Sequence, residues 1–318
     1  MLKSLIDQFL AGDRRACGQL MSIVENEHDV ASVILNTIYP HIGRAYRIGV
    51  TGPPGAGKST LVEKIGRRFR KDNLTVGIVA VDPTSPFSGG AILGDRIRMS
   101  ELFLDPGVFI RSMATRGGLG GLAVKTKQVC DLLDAFGKDV VIIETIGVGQ
   151  VELDIAETAY TTIVVLVPES GDSIQTLKAG LMEIADIFVV NKSDREGSDR
   201  LALEIETVLE MRSKSDDWEF PVIKTIATDS TGIEELYNKI SEHRKFLETS
   251  NILDERRAKN IRCEIIELVE DEIKQRVWQI SEIKEKLENL VAEVLEGKTT
   301  PFIATEKILK NLRDLGKE

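Results

Sequence analysis

Cysteine is scarce, at three of 318 residues, and histidine is no commoner. Cys17, Cys130 and Cys263 stand more than a hundred positions apart, which rules out a disulfide framework or a Cys-x-x-Cys metal knuckle. His28, His41 and His243 are scattered too, and no pair has zinc-ligand spacing. Basic residues are not in excess: 41 Lys and Arg face 51 Asp and Glu, a net charge of −10. Binding nucleic acid through a broad face depends largely on phosphate neutralisation, and this balance argues against such a partner. A local phosphate pocket built from backbone N–H groups and one lysine survives that exclusion. No run approaches the ~20 apolar residues of a membrane-spanning helix. The opening stretch MLKSLIDQFLAGDRRACGQL alternates apolar and charged positions at helical spacing, without the apolar core of a secretion signal. These absences lead to an expectation of a cytoplasmic protein with no membrane insertion and no nucleic-acid partner.

What is present falls into three zones. Residues 1–44 carry helical patterns (Leu5, Ile6, Phe9 and Leu10, then Val30 to Ile38), broken near Gly12 and ending around Pro40 and Gly43. From 45 to 250 short β-branched runs alternate with helical segments. The runs are 46–50, 76–82, 108–113, 139–145, 161–168, 186–192 and 221–227. Their central members are apolar at nearly every position, as in strands buried on both faces of a parallel sheet. The fold class expected is α/β, with a mainly parallel central sheet flanked by helices. Residues 251–318 read as a helical arm. There Ile273, Val277, Ile280, Leu287, Val291 and Val294 form a stripe at steps of four and three, broken only by Lys284, on one helix that ends at 297–301. Such a stripe needs a partner surface, in its own domain or in a second subunit; periodicity alone leaves both open.

The sequence GVTGPPGAGKST at 49–60 holds Gly52-x-x-x-x-Gly57-Lys58-Ser59 between a strand and a helix. In that context Gly52, Pro53, Pro54, Gly55, Ala56, Gly57, Lys58, Ser59 and Thr60 form a phosphate-binding loop. Glycines let successive N–H groups turn toward phosphate oxygens, and the helix N-terminus adds partial positive charge. Lys58 reaches the β- and γ-phosphates, and the Ser59 hydroxyl is suited to Mg²⁺. Asn191-Lys192-Ser193-Asp194 closes the strand 186–192, where a guanine-reading loop belongs. Asp194 would accept from guanine N1–H and the exocyclic amine, a pattern adenine does not present. Asn191 would fix the loop and face N7, the Lys192 stem would cover the ring, and Ala227 would offer its N–H to O6. Magnesium takes hard oxygen ligands; Asp82, Asp95 and Glu144 stand at loop positions able to join Ser59 around it. Glu144-Thr145-Ile146-Gly147 occupies the place of an Asp-x-x-Gly motif, whose glycine N–H senses the γ-phosphate.

The combination of GPPGAGKST, VDPTSPFSGGAILGDRIRM, RSMATRGGLGGLA, ETIGVGQVE, PESGDSIQTLKAGLMEIADI and NKSD resembles the MeaB/ArgK family, the GTPases associated with methylmalonyl-CoA mutase. The resemblance extends over nearly the whole chain. It implies a P-loop GTPase with an N-terminal helical extension and a C-terminal arm that joins a homodimer. It further implies a chaperone of an adenosylcobalamin-dependent acyl-CoA mutase, in which GTP hydrolysis gates cofactor loading and protects the enzyme. Asp82, Asp95 and Glu144 match family positions tied to magnesium and switch movement. Asp172, Gln175 and Lys178 match a third mobile segment that meets the partner or the nucleotide.

No glutamine directly follows Gly147; Gln150 comes later. Weak intrinsic hydrolysis is therefore expected, completed when a partner orders Asp95 to Arg98 and Gly147 to Gln150. Arg96, Arg98, Arg111 and Arg116 are candidate charge stabilisers. Two other classes are open: an ATP-driven kinase or transport ATPase, disfavoured by NKSD, and a metallochaperone GTPase, disfavoured by the lack of a Cys or His cluster.

Overall fold

The computed structural model describes every residue except 1, 27, 83–98, 115–118, 146–157, 169–179, 212–217 and 316–318. The N-terminal zone folds into α1 (Leu2–Leu10), α2 (Arg14–Asn26) and α3 (His28–Ile38). Asp13 caps α2: its Oδ1 accepts the N–H groups of Arg15 and Ala16 at 2.7 and 2.8 Å. Seven strands follow among the described residues: β1 (Tyr46–Thr51), β2 (Val76–Asp82), β3 (Val108–Ala114), β4 (Val140–Glu144), β5 (Thr161–Leu166), β6 (Ile187–Asn191) and β7 (Val222–Thr225). They make one parallel sheet in the order β3-β2-β4-β1-β5-β6-β7. The longer helices between and after them are α4 (Lys58–Lys71), α5 (Leu119–Ala135), α6 (Ser198–Met211), α7 (Ile233–Thr249) and α8 (Ile252–Gln279), with α9 (Ser281–Leu295) and α10 (Pro301–Leu315) last.

Alternating strand residues go to opposite faces, and both faces are covered. Ile78, Ile142, Ile48, Ile163 and Ile187 join α4 and α7 in one core, while Val79, Val81, Val141 and Ile143 join α1, α2, α3 and α5 in another. Beyond β1 the second face continues as Val164, Leu166, Phe188 and Val190 against Leu201 and Ile205 of α6. This two-sided burial explains why the central strands are apolar throughout. The helices of 1–44 supply one of these covering layers: Phe9, Cys17, Leu20, Met21 and Ile34 are fully buried against the sheet.

By its contacts the chain separates into two units, Met1–Asn260 and Ile261–Glu318. Within the second, Ile283, Leu290, Ala304 and Ile308 form a small core joined by Val277, Ile280, Leu287, Val294 and Leu312. The helix expected to run unbroken through the stripe is interrupted at Ile280, whose φ of −68° and ψ of 115° are extended, and α9 starts afresh at Ser281. Much of the stripe is thus used inside the unit, whereas Ile273 and Val291 remain exposed. Among the described residues no helix is long and apolar enough to cross a membrane.

Candidate functional site: a phosphate loop joined to a base-reading loop

Parallel strands bring their carboxyl ends to one edge of the sheet, and open α/β sheets place ligands there. Thr51 ends β1, Glu144 ends β4, and Asn191 ends β6. Gly49 pairs with Ile143 and Val50 with Glu144, so the phosphate loop and the acid emerge side by side. The loop turns sharply because Gly52, Gly55 and Gly57 all have positive φ, at 136°, 76° and 89°. Two of these glycines also permit close approach. A Cβ on Gly52 would lie 2.0 Å from the Val165 carbonyl oxygen, and one on Gly57 would lie 2.4 Å from the Asn191 amide nitrogen.

Lys58 opens α4 and is buried; its Nζ donates to the carbonyls of Gly52 at 2.7 Å and Pro53 at 3.0 Å. The ammonium is thereby held over the loop it would share with a triphosphate. Ala56 is fully buried at the loop's turn, while Pro54 and Gly55 are exposed at its crest. Next in the helix, Ser59 Oγ donates to Glu144 Oε1 at 2.6 Å. A hydroxyl and a carboxylate oxygen meeting at the helix N-terminus are the hard donors a Mg²⁺ ion takes. Among the described residues no three His, Cys, Asp or Glu gather into a metal cluster. Such a sparse donor set fits a cation that retains waters and shares phosphate oxygens rather than a caged structural ion. Thr60 follows, half-buried, and Thr145 Oγ1 donates to Thr51 Oγ1 at 2.8 Å below the site.

The second half of the site is organised by one amide. Asn191 is 2% exposed, its Nδ2 donates to Ala56 O at 2.7 Å, and its Oδ1 accepts from Thr225 Oγ1 and Ala227 N, both at 3.1 Å. One side chain therefore ties the phosphate loop to the loop after β7. Both ends of that amide are engaged by protein, so in this structure the Ala227 N–H points to Asn191. Asn191 Nδ2 and Ala227 N–H are the groups expected to meet N7 and O6, and in this structure both bond within the protein. Lys192 adopts a left-handed φ of 57°, and Ser193 N donates to Thr225 O at 3.0 Å, which presents Asp194 outward. Asp194 is exposed, and its carboxylate makes no hydrogen bond or ion pair among the described residues. Thr225, which positions Asn191 by its hydroxyl, was missed from sequence. Its signal was modest: a hydroxyl residue ending a strand beside the one that carries NKSD.

Of the other sequence-derived residues, Asp82 ends β2 in register with Ala114, and its side chain lies outside the described set. Asp95, Arg96, Arg98, Arg116, Gly147, Gln150, Asp172, Gln175 and Lys178 also lie outside the described residues. Arg111 is corrected as a charge stabiliser. Its Nε donates to Glu25 Oε1 at 2.6 Å and its Nη2 to Ser22 Oγ at 3.2 Å, which fastens β3 to α2. Burial pushes the thiols of Cys17 and Cys130 up to about 12, so neither is a nucleophile near neutrality.

Residues 17–282 match the family model described as methylmalonyl Co-A mutase-associated GTPase MeaB. A Pyrococcus abyssi protein named as a GTPase is 50% identical over 315 residues, covering 98% of this chain and 97% of its own length. The GTPase ArgK of Escherichia coli is 37% identical over 262 residues, covering 80% of this chain and 79% of its own. A crystal structure titled LAO/AO transport system kinase superposes with a TM-score of 0.74 at 27% identity, covering 98% of this chain and 97% of that one.

Proposed function

This chain belongs to the MeaB family of methylmalonyl Co-A mutase-associated GTPases, and from that premise we propose a Mg²⁺-dependent GTPase acting as chaperone to an adenosylcobalamin-dependent acyl-CoA mutase. As a P-loop GTPase it is a hydrolase that binds GTP and GDP. The observation that supports a guanine-nucleotide site is the Asn191 amide, which joins the phosphate loop at Ala56 to the base-side loop at Ala227.

In the proposed reaction, water attacks the γ-phosphorus of GTP, the bond to the β,γ-bridging oxygen breaks, and GDP and phosphate leave. Lys58 exchanges its carbonyl partners for β- and γ-phosphate oxygens, and the N-terminus of α4 turns its N–H groups to the same charge. Ser59 and Glu144, with Asp82 at the end of β2, would hold Mg²⁺, which when bound neutralises phosphate charge. Asp194 selects guanine by accepting from N1–H and the exocyclic amine. Gly147, Gln150 and Asp95 belong to the segments that would complete the water-orienting geometry on contact with the mutase. Single-turnover GTP hydrolysis with and without a cognate mutase tests this part. A rate that rises severalfold with the mutase is expected, and an unchanged rate overturns the chaperone reading.

The reading includes a cytoplasmic homodimer built through 251–318, beyond a GTPase domain at 45–250 and its N-terminal extension. Support comes from α8, where Ile261, Ile265, Val269 and Ile273 recur every four residues with 47%, 57%, 51% and 57% exposure. An apolar row of this kind on a helix is costly to leave in water. Ile265→Glu is expected to convert a dimer to a monomer in sedimentation; an unchanged mass contradicts it.

A further inference from the structure

A phosphate loop works through its N–H groups, yet Pro53 and Pro54 of this one have none. Neither can donate a hydrogen bond to a phosphate, from backbone or side chain, so what they add to the site is conformational. Ala56 N donates to Pro53 O at 3.2 Å, which closes a turn over 53–56. Proline in the second place and a glycine of positive φ in the third are the pattern of a type II turn. Gly55 has a φ of 76°, against about 80° for that turn. The Pro54 ring fixes its own φ at about −65° and keeps Pro53 out of the helical region.

The foot of this turn is held, and its crest is open. Pro53 O also accepts Lys58 Nζ at 3.0 Å, and Ala56 O accepts Asn191 Nδ2 at 2.7 Å. When Lys58 turns to phosphate, the bond from Ala56 to Pro53 and the bond from Asn191 to Ala56 can both persist. Pro54 and Gly55 are exposed, and a Cβ built on Gly55 would meet nothing within 4 Å. Packing therefore does not impose the positive φ; the residues of the turn do. A residue that disfavours this φ relaxes by opening the crest while no nucleotide is bound, and the turn must then be remade when phosphate arrives. For an ordinary L-residue the left-handed conformation is disfavoured by roughly tenfold in an equilibrium constant.

We propose that Pro54 is a positioning residue which, with the positive φ of Gly55, holds the phosphate loop in its binding shape before a nucleotide enters. Through the turn closed between Pro53 and Ala56 it sets the affinity for GDP and GTP alike. The proposal rests on the reading of 52–60 as the loop that receives the phosphates.

Titration of the full chain with GDP tests it, together with urea unfolding of the same samples without nucleotide. Pro54→Ala should weaken GDP binding about fivefold and Pro54→Gly about tenfold, as freedom returns to the crest step by step. Gly55→Ala should weaken it about tenfold. Gly55→Asn should bind at least about threefold more tightly than Gly55→Ala, although its side chain is larger, because asparagine tolerates a left-handed φ. The urea midpoint should stay close to wild type in all four variants, whereas a role in holding the fold together would lower it. Asn no better than Ala at position 55 would mean that bulk beside the phosphates decides, and the inference falls. It falls equally if both Pro54 variants bind GDP as wild type does, or if the weakened variants have lost their urea midpoint. In each of these cases wild type still binds GDP, and the GTPase reading stands. If wild type binds no guanine nucleotide, that reading falls and takes the inference with it.

Discussion

The two edges of the central sheet carry polar residues of similar kind and use them in opposite ways. At the carboxyl edge, Lys58 rests on two backbone carbonyls and Asp194 faces solvent. At the amino edge, Tyr46, Thr161 and His243 are bonded in a chain, and beside them Asp186 is paired with Arg256. Tyr46 OH lies 2.6 Å from Thr161 Oγ1, which lies 2.8 Å from His243 Nδ1, and Asp186 receives the Arg256 fork. Buried polar groups need partners, and only the first arrangement can trade its partners for those of a ligand without leaving protein groups stranded. The difference teaches that a polar cluster is a site when its bonds are exchangeable, and a strut when they are mutual.

The contrast breaks most sharply at Lys58. Lys58→Ala should lower single-turnover GTP hydrolysis by about a thousandfold, the scale for a lost preorganised donor, and leave the urea midpoint close to wild type. A variant that unfolds instead would make Lys58 a strut. At the amino edge Asp186→Asn should do the reverse. Removing one charge of a largely buried pair should cost about 2 to 3 kcal/mol in urea unfolding, somewhat under the cost of a fully buried one because Arg256 is partly exposed, with hydrolysis within about threefold.

A smaller effect comes from His243, which is fully buried beneath Trp218 and Phe246. Burial, with Arg256 adding to it and Asp186 opposing it, lowers its pKa from 6.5 to about 4. Folded His243 is thus neutral at pH values where the unfolded chain already takes up a proton. Its contribution is present above about pH 6.5 and is lost progressively as the pH falls toward 4. Between pH 7.5 and 5 the loss should be about 2 kcal/mol, because each tenfold difference in proton affinity between the folded and unfolded chain is worth ~1.4 kcal/mol. His243→Gln should flatten that part of the pH profile in urea titrations. A wild-type profile flat from 7.5 to 5 would contradict the assignment.

The carboxyl edge was legible in the sequence because its chemistry is local. Gly52 to Thr60 and Asn191 to Asp194 are short contiguous motifs, each tied to the end of an apolar strand. The seven strands were equally plain, since β-branched runs buried on both faces leave little room for another reading. The amino edge was not legible: Tyr46, Thr161, Asp186, His243 and Arg256 are scattered over the chain, and only the parallel pairing of β1, β5 and β6 assembles them. His243 read simply as one isolated histidine among three. The break at Ile280 likewise left no mark, for neither glycine nor proline announces it. Nor could spacing show that the Asn191 amide would be spent on Ala56, Thr225 and Ala227, because those bonds depend on loops from three different strands.

The most direct test of the central claim is a nucleotide titration of purified wild type and Asp194→Asn with GTP, ATP and XTP, in the presence of Mg²⁺. Wild type should bind GTP at least about a hundredfold more tightly than ATP. The variant should lose GTP affinity by about a hundredfold and gain XTP, since an amide complements the carbonyl that xanthine carries in place of the guanine amine. Full GTP affinity in the variant, or equal binding of ATP and GTP by wild type, would contradict the account.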